Sequence, residues 1–590
     1  MKRRTILEAS LALPFVSPAK AAEPWRRVRP SDAAWPSADE WARLGEAVNG
    51  HLVKLAAPFA SCTDKGCEDL LAQMKNPFFV GDQPALTQTS GWLDAWASQP
   101  SAYAVAAESA AEVAAAVRFA QEKRLRLVVR GGGHSYLGTS DAPDSLLIWT
   151  RHMNKVELHE GFVPQGCKSA PQAAVSVQAG AMWSDAYDAV TTKAGRYVQG
   201  GGCTTVGVAG LVQSGGFGSF SKRYGTAAAG LLEAEVVTAD GEIRIANACQ
   251  HPELFWALKG GGGGSLGVVT RLTLRTHELP ENFGAVFGAI QASTDEDYRA
   301  LIAQMIKFYA EALFNPHWGE QIKLEGEKVL GLSLVFQGLN KVEAESVWAP
   351  FVEWLKARPQ YKILSPIQAL ALPARQFWNA EFMQKYLPPG VMVSDPRPGA
   401  PKHHAAWGGD LEQVGWFIHA YHSAWMPSSL LEPKRQQELV DALIECKRQW
   451  DVALHFNKGL AGAPAEAIEA ARDTATHPQV LDAFALAICA GGGAPAYPGM
   501  PGQAPDMARA YRRAAAVKQG FEALMKAAPD AGAYVSESDY FLRDWQRAYW
   551  GNNYPRLLAA KKKYDPEGLF FVHHGVGSEG WSADGFTRKA

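Results

Sequence analysis

The stretch 198–218, VQGGGCTTVGVAGLVQSGGFG, constrains this chain more than any other. Glycine at such density costs backbone entropy and is tolerated where backbone must come very close to something else. Around Cys203 the stretch offers Thr205, Val206, Gly207 and Gly210, and further on Gly215 and Gly216. A second stretch, VVRGGGHSYLGTS at 128–140, has the same character. It supplies Arg130, successive backbone N–H groups at Gly131, Gly132 and Gly133, then His134 and Ser135. Bare backbone in two such loops predicts a site for a large flat ligand that carries a pyrophosphate. Taken singly, a buried cysteine is a small hydrophobe and a histidine after glycines is a loop hydrogen-bonder.

Together the two stretches resemble the flavin-linking segments of the berberine-bridge-enzyme-like branch of the vanillyl-alcohol-oxidase superfamily. Those read R-[SG]-G-G-H, then G-x-C-x-T-V-G-V-x-G and G-G-x-G. The resemblance implies FAD held by two covalent bonds, from His134 to the 8-methyl carbon and from Cys203 to C6 of the isoalloxazine. Imidazole and thiolate are nucleophiles that must be deprotonated to act. It also implies an α+β chain: a two-domain PCMH-type FAD-binding fold plus an antiparallel-sheet substrate domain covered by helices. The expected reaction is hydride transfer from a carbon bearing oxygen or nitrogen in a small molecule (an alcohol, carbohydrate or cyclic amine) to flavin, with dioxygen as oxidant. A dehydrogenase using another acceptor and a flavin-containing binding protein without catalysis stay open.

Three further tracts carry the resemblance. LFWALKGGGGGSLGVVTRLTLR, at 254–275, adds Val268 and Val269 as cofactor contacts. Near the C-terminus, AYVSESDY at 533–540 stands where relatives carry Y-x-N-Y-x-D, whose second tyrosine is the base. Ser536 and Glu537 occupy the matching positions, so Glu537 becomes the leading base and Tyr540 the reserve; the bland alternative for Glu537 is a solvated strand-end carboxylate. YWGNNYPRL at 549–557 makes Asn553 a flavin contact. The ending HGVGSEGW departs from the plant enzymes and looks more like fungal and bacterial isoamyl-alcohol-oxidase-like members. Val206 stands where relatives with valine react with oxygen and relatives with isoleucine exclude it.

The rest of the chain sets limits. Charge is nearly balanced, 58 Lys+Arg against 60 Asp+Glu, which argues against nucleic acid as a partner. The N-terminus, MKRRTIL followed by a short apolar run and Ala19-Lys20-Ala21, reads as a twin-arginine-like signal over 1–21 and so predicts export to the periplasm or beyond. That run, broken by Glu8 and Pro14, is too short to span a bilayer. Cys62 and Cys67 are the expected disulfide. No metal site is expected: there is no Cys-x-x-Cys, and the rings of the adjacent pairs His403-His404 and His573-His574 would point apart on any regular element. Gly262-x-Gly264-x-x-Gly267 satisfies the dinucleotide fingerprint formally, but a helix precedes it and a strand follows, the reverse of what that motif needs.

Periodicity gives the organisation. A helix over 109–123 and strands over 126–129, 173–179 and 268–276, with a hairpin over 231–245, make a FAD-binding domain at 96–280 after an N-terminal extension at 22–95. Strands over 285–291, 329–337, 414–422 and 452–456 and helices over 295–313, 341–357, 433–449 and 505–527 make a substrate domain at 281–530. The resemblance implies these FAD-binding and substrate roles and the return of residues 531–590 to the FAD-binding domain. His455, Asn457 and Lys458 end one strand and face either the cleft or solvent.

Overall fold

The computed structural model describes residues 25–60 and 64–589. The leader carrying Arg3 and Arg4 lies outside them. So does Cys62, the expected partner of Cys67.

Two sheets form the first half. In a four-stranded sheet, Arg126–Arg130 and Tyr103–Ala106 run parallel to Ser145–Trp149. The helix Ala110–Glu122 covers it, started by Ser109, whose Oγ accepts the Glu112 N–H. Its Val113, Val117 and Ala120 are buried, as the apolar spacing of an amphipathic helix requires. A second sheet is antiparallel and is built on Val268–Glu278, which pairs with Leu231–Val237 and Gln172–Gln178. The strand Arg126–Arg130 ends at the 131–135 loop. The strand Arg196–Val198, paired with the far end of Val268–Glu278, leads into the Cys203 stretch.

The second half is one nine-stranded sheet, antiparallel except at one edge. Side chains alternate across it with period two. One register row joins Phe287, Ser333, Gln321 and His455, and all four line an open cleft. The alternate residues Val286, Ile322, Leu334 and Leu454 are buried in the main core beneath the helices Asp295–Phe308, Lys341–Lys356, Gln436–Gln449 and Met507–Leu524. The helices therefore occupy one face and the cleft the other.

Three strands of this sheet escape the periodicity argument: Trp318–Glu325, Tyr361–Pro373 and Ala483–Gly493. The last is mostly alanine and glycine, poor strand formers that a central position tolerates because neighbours pair on both sides. The extension at 22–95 is also not separate. Its strand Thr89–Trp92 adds to the nine-stranded sheet, parallel to Trp416–Pro427.

The C-terminal segment packs against the 254–275 tract. Trp550 Nε1 donates to the Gly260 carbonyl at 3.0 Å. The buried Lys561 ammonium donates to the Ser265 carbonyl at 2.7 Å. A disulfide that sequence reasoning missed, Cys167–Cys249, ties together residues 82 apart in the chain. Among the described residues, no helix is long and apolar enough to cross a membrane.

Candidate active site

The two glycine loops are pressed backbone to backbone. A Cβ on Gly132 would stand 2.8 Å from the Gly207 nitrogen, and one on Gly207 would stand 3.0 Å from the Gly132 nitrogen. Neither loop can carry a side chain there without moving the other. Beside this seam a cleft of about 1440 Å³ opens between the glycine loops, the nine-stranded sheet and the C-terminal segment. Gly210 and Gly263, both on its wall, have nothing within 4 Å of where a Cβ would be. Tight seam and open wall together fit a large planar group.

His134 and Cys203 both line this cleft. Thr205 Oγ1 is 3.2 Å from His134 Nε2, which leaves Nδ1 free of that contact. Burial lowers the His134 pKa to about 4, so the ring is neutral and nucleophilic at ordinary pH. Cys203 is the opposite case. Burial, then the carboxylates of Asp410 and Glu320, hold its thiol well above the ordinary range. A base is therefore needed to free the sulfur, and Asp410 is beside it. The Trp407 indole donates to the Gly202 carbonyl at 3.2 Å, and Thr204 Oγ1 to the Ala405 carbonyl at 2.6 Å. These two bonds hold the short helix Gly408–Leu411 against the Cys203 loop. Asp410 shares a hydrogen bond with the thiol, while its Oδ2 is buried without a partner.

The other expected residues divide. Gly131, Gly132, Gly133, Ser135, Thr205, Val206, Gly207, Gly210 and Val269 line the cleft. Arg130, Gly215, Gly216, Val268 and Asn553 do not, and each has a structural task instead. Arg130 is buried and donates to the Leu86 and Ser140 carbonyls, bracing the loop from behind. Gly215 and Gly216 take positive φ, 100° and 72°, in the turn after the helix Val208–Gln213. Val268 is fully buried in the core under the four-stranded sheet. Asn553 donates to the Thr476 carbonyl at 2.8 Å.

Glu537 is in the cleft, and both its oxygens accept from Lys458 Nζ, at 2.5 and 2.7 Å. His455 and Asn457 line the cleft with them. Tyr540 does not: its ring stacks on His573 at 3.7 Å and 4°, and it is His573 and His574 that reach the wall. Burial keeps the Tyr136 and Tyr421 phenols, also on the wall, well above their ordinary pKa, so they serve as hydrogen-bond donors.

Two wall features escaped the sequence. The Gly262–Ser265 loop is no dinucleotide fingerprint, since the helix Pro252–Leu258 precedes it and a strand follows, yet it lines the cleft. Glu320 pairs in register with the core residue Leu334, so alternation sends it to the core. Its φ of 62° turns it into the cleft. There Ser219 Oγ donates to it at 2.6 Å and Asn457 at 3.3 Å, and burial raises its pKa. A non-glycine residue held at positive φ is strain retained at a working position.

Comparison with known proteins decides the family. The chain is 30% identical over 603 residues to the FAD-linked oxidoreductase malF of Malbranchea aurantiaca, covering 96% of this chain and 94% of that protein. It belongs to the berberine-like family of FAD-linked oxidoreductases. A FAD binding domain model matches residues 101–247 and a "berberine and berberine like" model matches 533–577. The VAO-type flavoprotein oxidase VAO615 of Thermothelomyces thermophilus is 28% identical over 95% of this chain and 94% of its own. Among solved structures, a VAO-type flavoprotein of Myceliophthora thermophila superposes with TM-score 0.77 at 26% identity, covering 96% of this chain and all of that one. A glucooligosaccharide oxidase of Acremonium strictum, described with 6-S-cysteinyl, 8α-N1-histidyl FAD, shares the fold at TM-score 0.62 and 19% identity, covering 84% of this chain and 95% of its own. The chain is thus an FAD-dependent oxidoreductase. The bare seam, the open wall and the two nucleophiles fit that cofactor.

Asp410 gives a pH-dependent prediction. Burial raises its pKa to about 6 in the folded chain, against about 3.9 unfolded. The unfolded chain loses this proton first, so stability is lost as pH rises from about 4 through 6. Asp410→Asn should therefore gain about 3 kcal/mol over wild type at pH 8 and nothing at pH 3.5, read by paired denaturant titrations.

Proposed function

We propose that this protein is an exported oxidase in which FAD is bound covalently through both His134 and Cys203. The observation that carries the reading is that these two nucleophiles, far apart in sequence, stand on the wall of one cleft. Thr205 holds His134 Nε2, so Nδ1 is the atom that would hold the 8-methyl carbon. Asp410, beside the Cys203 thiol, would keep its proton off the sulfur that would hold C6. Bound flavin supplies hydride acceptance from substrate and electron transfer to an oxidant.

The chain's own residues do the rest. Glu537 accepts the proton of the substrate's hydroxyl or amine. Lys458 keeps that carboxylate on the cleft wall. Tyr421 donates a hydrogen bond to the substrate, and Tyr136, whose hydroxyl donates to Gln413 Oε1 at 2.9 Å, accepts one. His455 and Gln321, from the cleft-facing register row, shape the side where the substrate rests. Val206, a small β-branched residue on the wall, leaves room for dioxygen that an added methylene would fill. Export is supported by the twin-arginine-like leader and by the Cys167–Cys249 disulfide, which belongs in an oxidising compartment.

Four measurements check this reading. Acid-precipitated wild type stays yellow, and its digest yields one flavin joining two peptides. His134→Ala and Cys203→Ala each keep one link, and the double variant releases FAD; loss of colour from wild type on precipitation defeats the attachment. In anaerobic stopped flow, Glu537→Gln slows flavin reduction about 100-fold or more, the range of general-base catalysis, at normal flavin content. In the same instrument, reduced wild type mixed with aerated buffer reoxidises rapidly and forms peroxide, and Val206→Ile suppresses only that step. Rapid reoxidation by a quinone with none by oxygen makes the enzyme a dehydrogenase. Finally, cell fractionation finds wild type outside the cytoplasm and the Arg3→Lys/Arg4→Lys variant inside it.

A further inference from the structure

Adjacent histidines on a strand or helix point apart, and that was the expectation for His403 and His404. They sit instead on the turn that enters the short strand Ala405–Trp407. Their rings stand 89° to one another with centroids 5.0 Å apart, and both converge on a single carboxylate. His403 Nε2 lies 2.9 Å and His404 Nε2 3.4 Å from Asp185 Oδ1. The three ligand atoms fall within 4.8 Å of one another. Ligands bound tetrahedrally to zinc at ~2.0–2.1 Å stand roughly 3.3 Å apart, so the cluster has the scale of a coordination sphere.

Each member is oriented from outside the cluster. Asp185 Oδ2 accepts the Met182 N–H at 2.8 Å, which leaves Oδ1 for the cluster. The His404 ring stacks on Phe78 at 4.8 Å and 9°. His403 Nδ1 is 3.4 Å from Asp188 Oδ2, which Lys193 Nζ holds at 2.6 Å. A carboxylate behind a histidine whose other nitrogen faces the ligand site is the arrangement that fixes and strengthens metal-binding imidazole.

We propose that Asp185, His403 and His404 form a binding site for one divalent transition-metal ion of the Zn²⁺ class, with water completing its shell. Two imidazole nitrogens and one carboxylate oxygen suit zinc and its neighbours, whereas magnesium and calcium prefer all-oxygen shells. Burial is graded to suit entry: the His403 side chain is 26% exposed, against 10% for His404 and 14% for Asp185.

The site is separate from the chemistry, since none of the three residues lines the cleft. Its place in the fold gives it a mechanical role. Asp185 follows Ser184, whose N–H donates to the Thr204 carbonyl at 2.8 Å. The histidines precede Ala405, whose carbonyl accepts from Thr204 Oγ1 at 2.6 Å. A bound ion therefore fastens together the two segments that flank the Cys203 loop.

The test uses the full flavin-loaded chain, stripped with EDTA, desalted, and exposed to ZnCl₂ or to MgCl₂ as control. About one zinc per chain should survive a second desalting by elemental analysis, with no magnesium, and zinc should raise the melting temperature. His403→Gln/His404→Gln should retain no zinc. Asp188→Asn, which leaves all three ligands in place, should bind zinc about 10- to 100-fold more weakly. Wild type that retains no zinc overturns the proposal, as does equal retention by the double variant. If that variant misfolds, an Asp188→Asn affinity equal to wild type is the overturning result.

Discussion

Everything in this molecule depends on one close approach, the backbone of Gly132 against the backbone of Gly207. No side-chain interaction could bring the two loops so near, because the space between them is smaller than a methyl group. Each loop is supplied by a different sheet, and the contact fixes how those sheets meet. It also fixes the distance between His134, two residues past one glycine, and Cys203, four residues before the other. Chemistry that needs both residues on one ring is thereby made a property of backbone packing. Arg130, buried behind the first loop, and the Thr204–Ala405 bond, beside the second, keep the contact from relaxing.

Around this seam the cleft has an uneven electrostatic character. Carboxyl groups of Glu320, Asp410 and Glu537 line it, with Lys458 paired to one of them. The other two carry raised pKa values because burial penalises their charge. Burial thus favours the protonated form of both Glu320 and Asp410. Glu537 is instead held on the wall by its ion pair with Lys458, which aims it at a substrate.

Much of this was legible in the sequence, and the residues show why. The glycine runs around His134 and Cys203 advertise themselves, since such density has few other physical uses. The amphipathic helices and four strands of the nine-stranded sheet were equally plain. What escaped depended on geometry that local pattern does not encode. Glu320 breaks the alternation of its own strand through a left-handed backbone. Gly262–Ser265 reaches the cleft by a route unrelated to the motif it mimics. His403 and His404 converge because they lie on a turn, where the rule that neighbours diverge does not hold. Arg130 and Asn553 share their neighbours' motifs yet serve as braces, because a motif marks a loop without saying which of its side chains faces inward.

The strand Thr89–Trp92 gives the architecture a temporal side. It pairs with Trp416–Pro427, more than three hundred residues later, while residues near the C-terminus close the opposite wall. During synthesis the N-terminal strand must wait, paired only with Trp96–Ala97, until most of the chain has been made, and long-range pairing of this kind is slow. The sheets that carry the His134 and Cys203 loops are complete by residue 278, whereas the nine-stranded layer is complete only at residue 493. One wall of the cofactor pocket comes later still, from residues 534–537 and 572–575. The pocket is therefore closed late in synthesis, and a chain that stops before Tyr534 offers the cofactor two glycine loops without that wall.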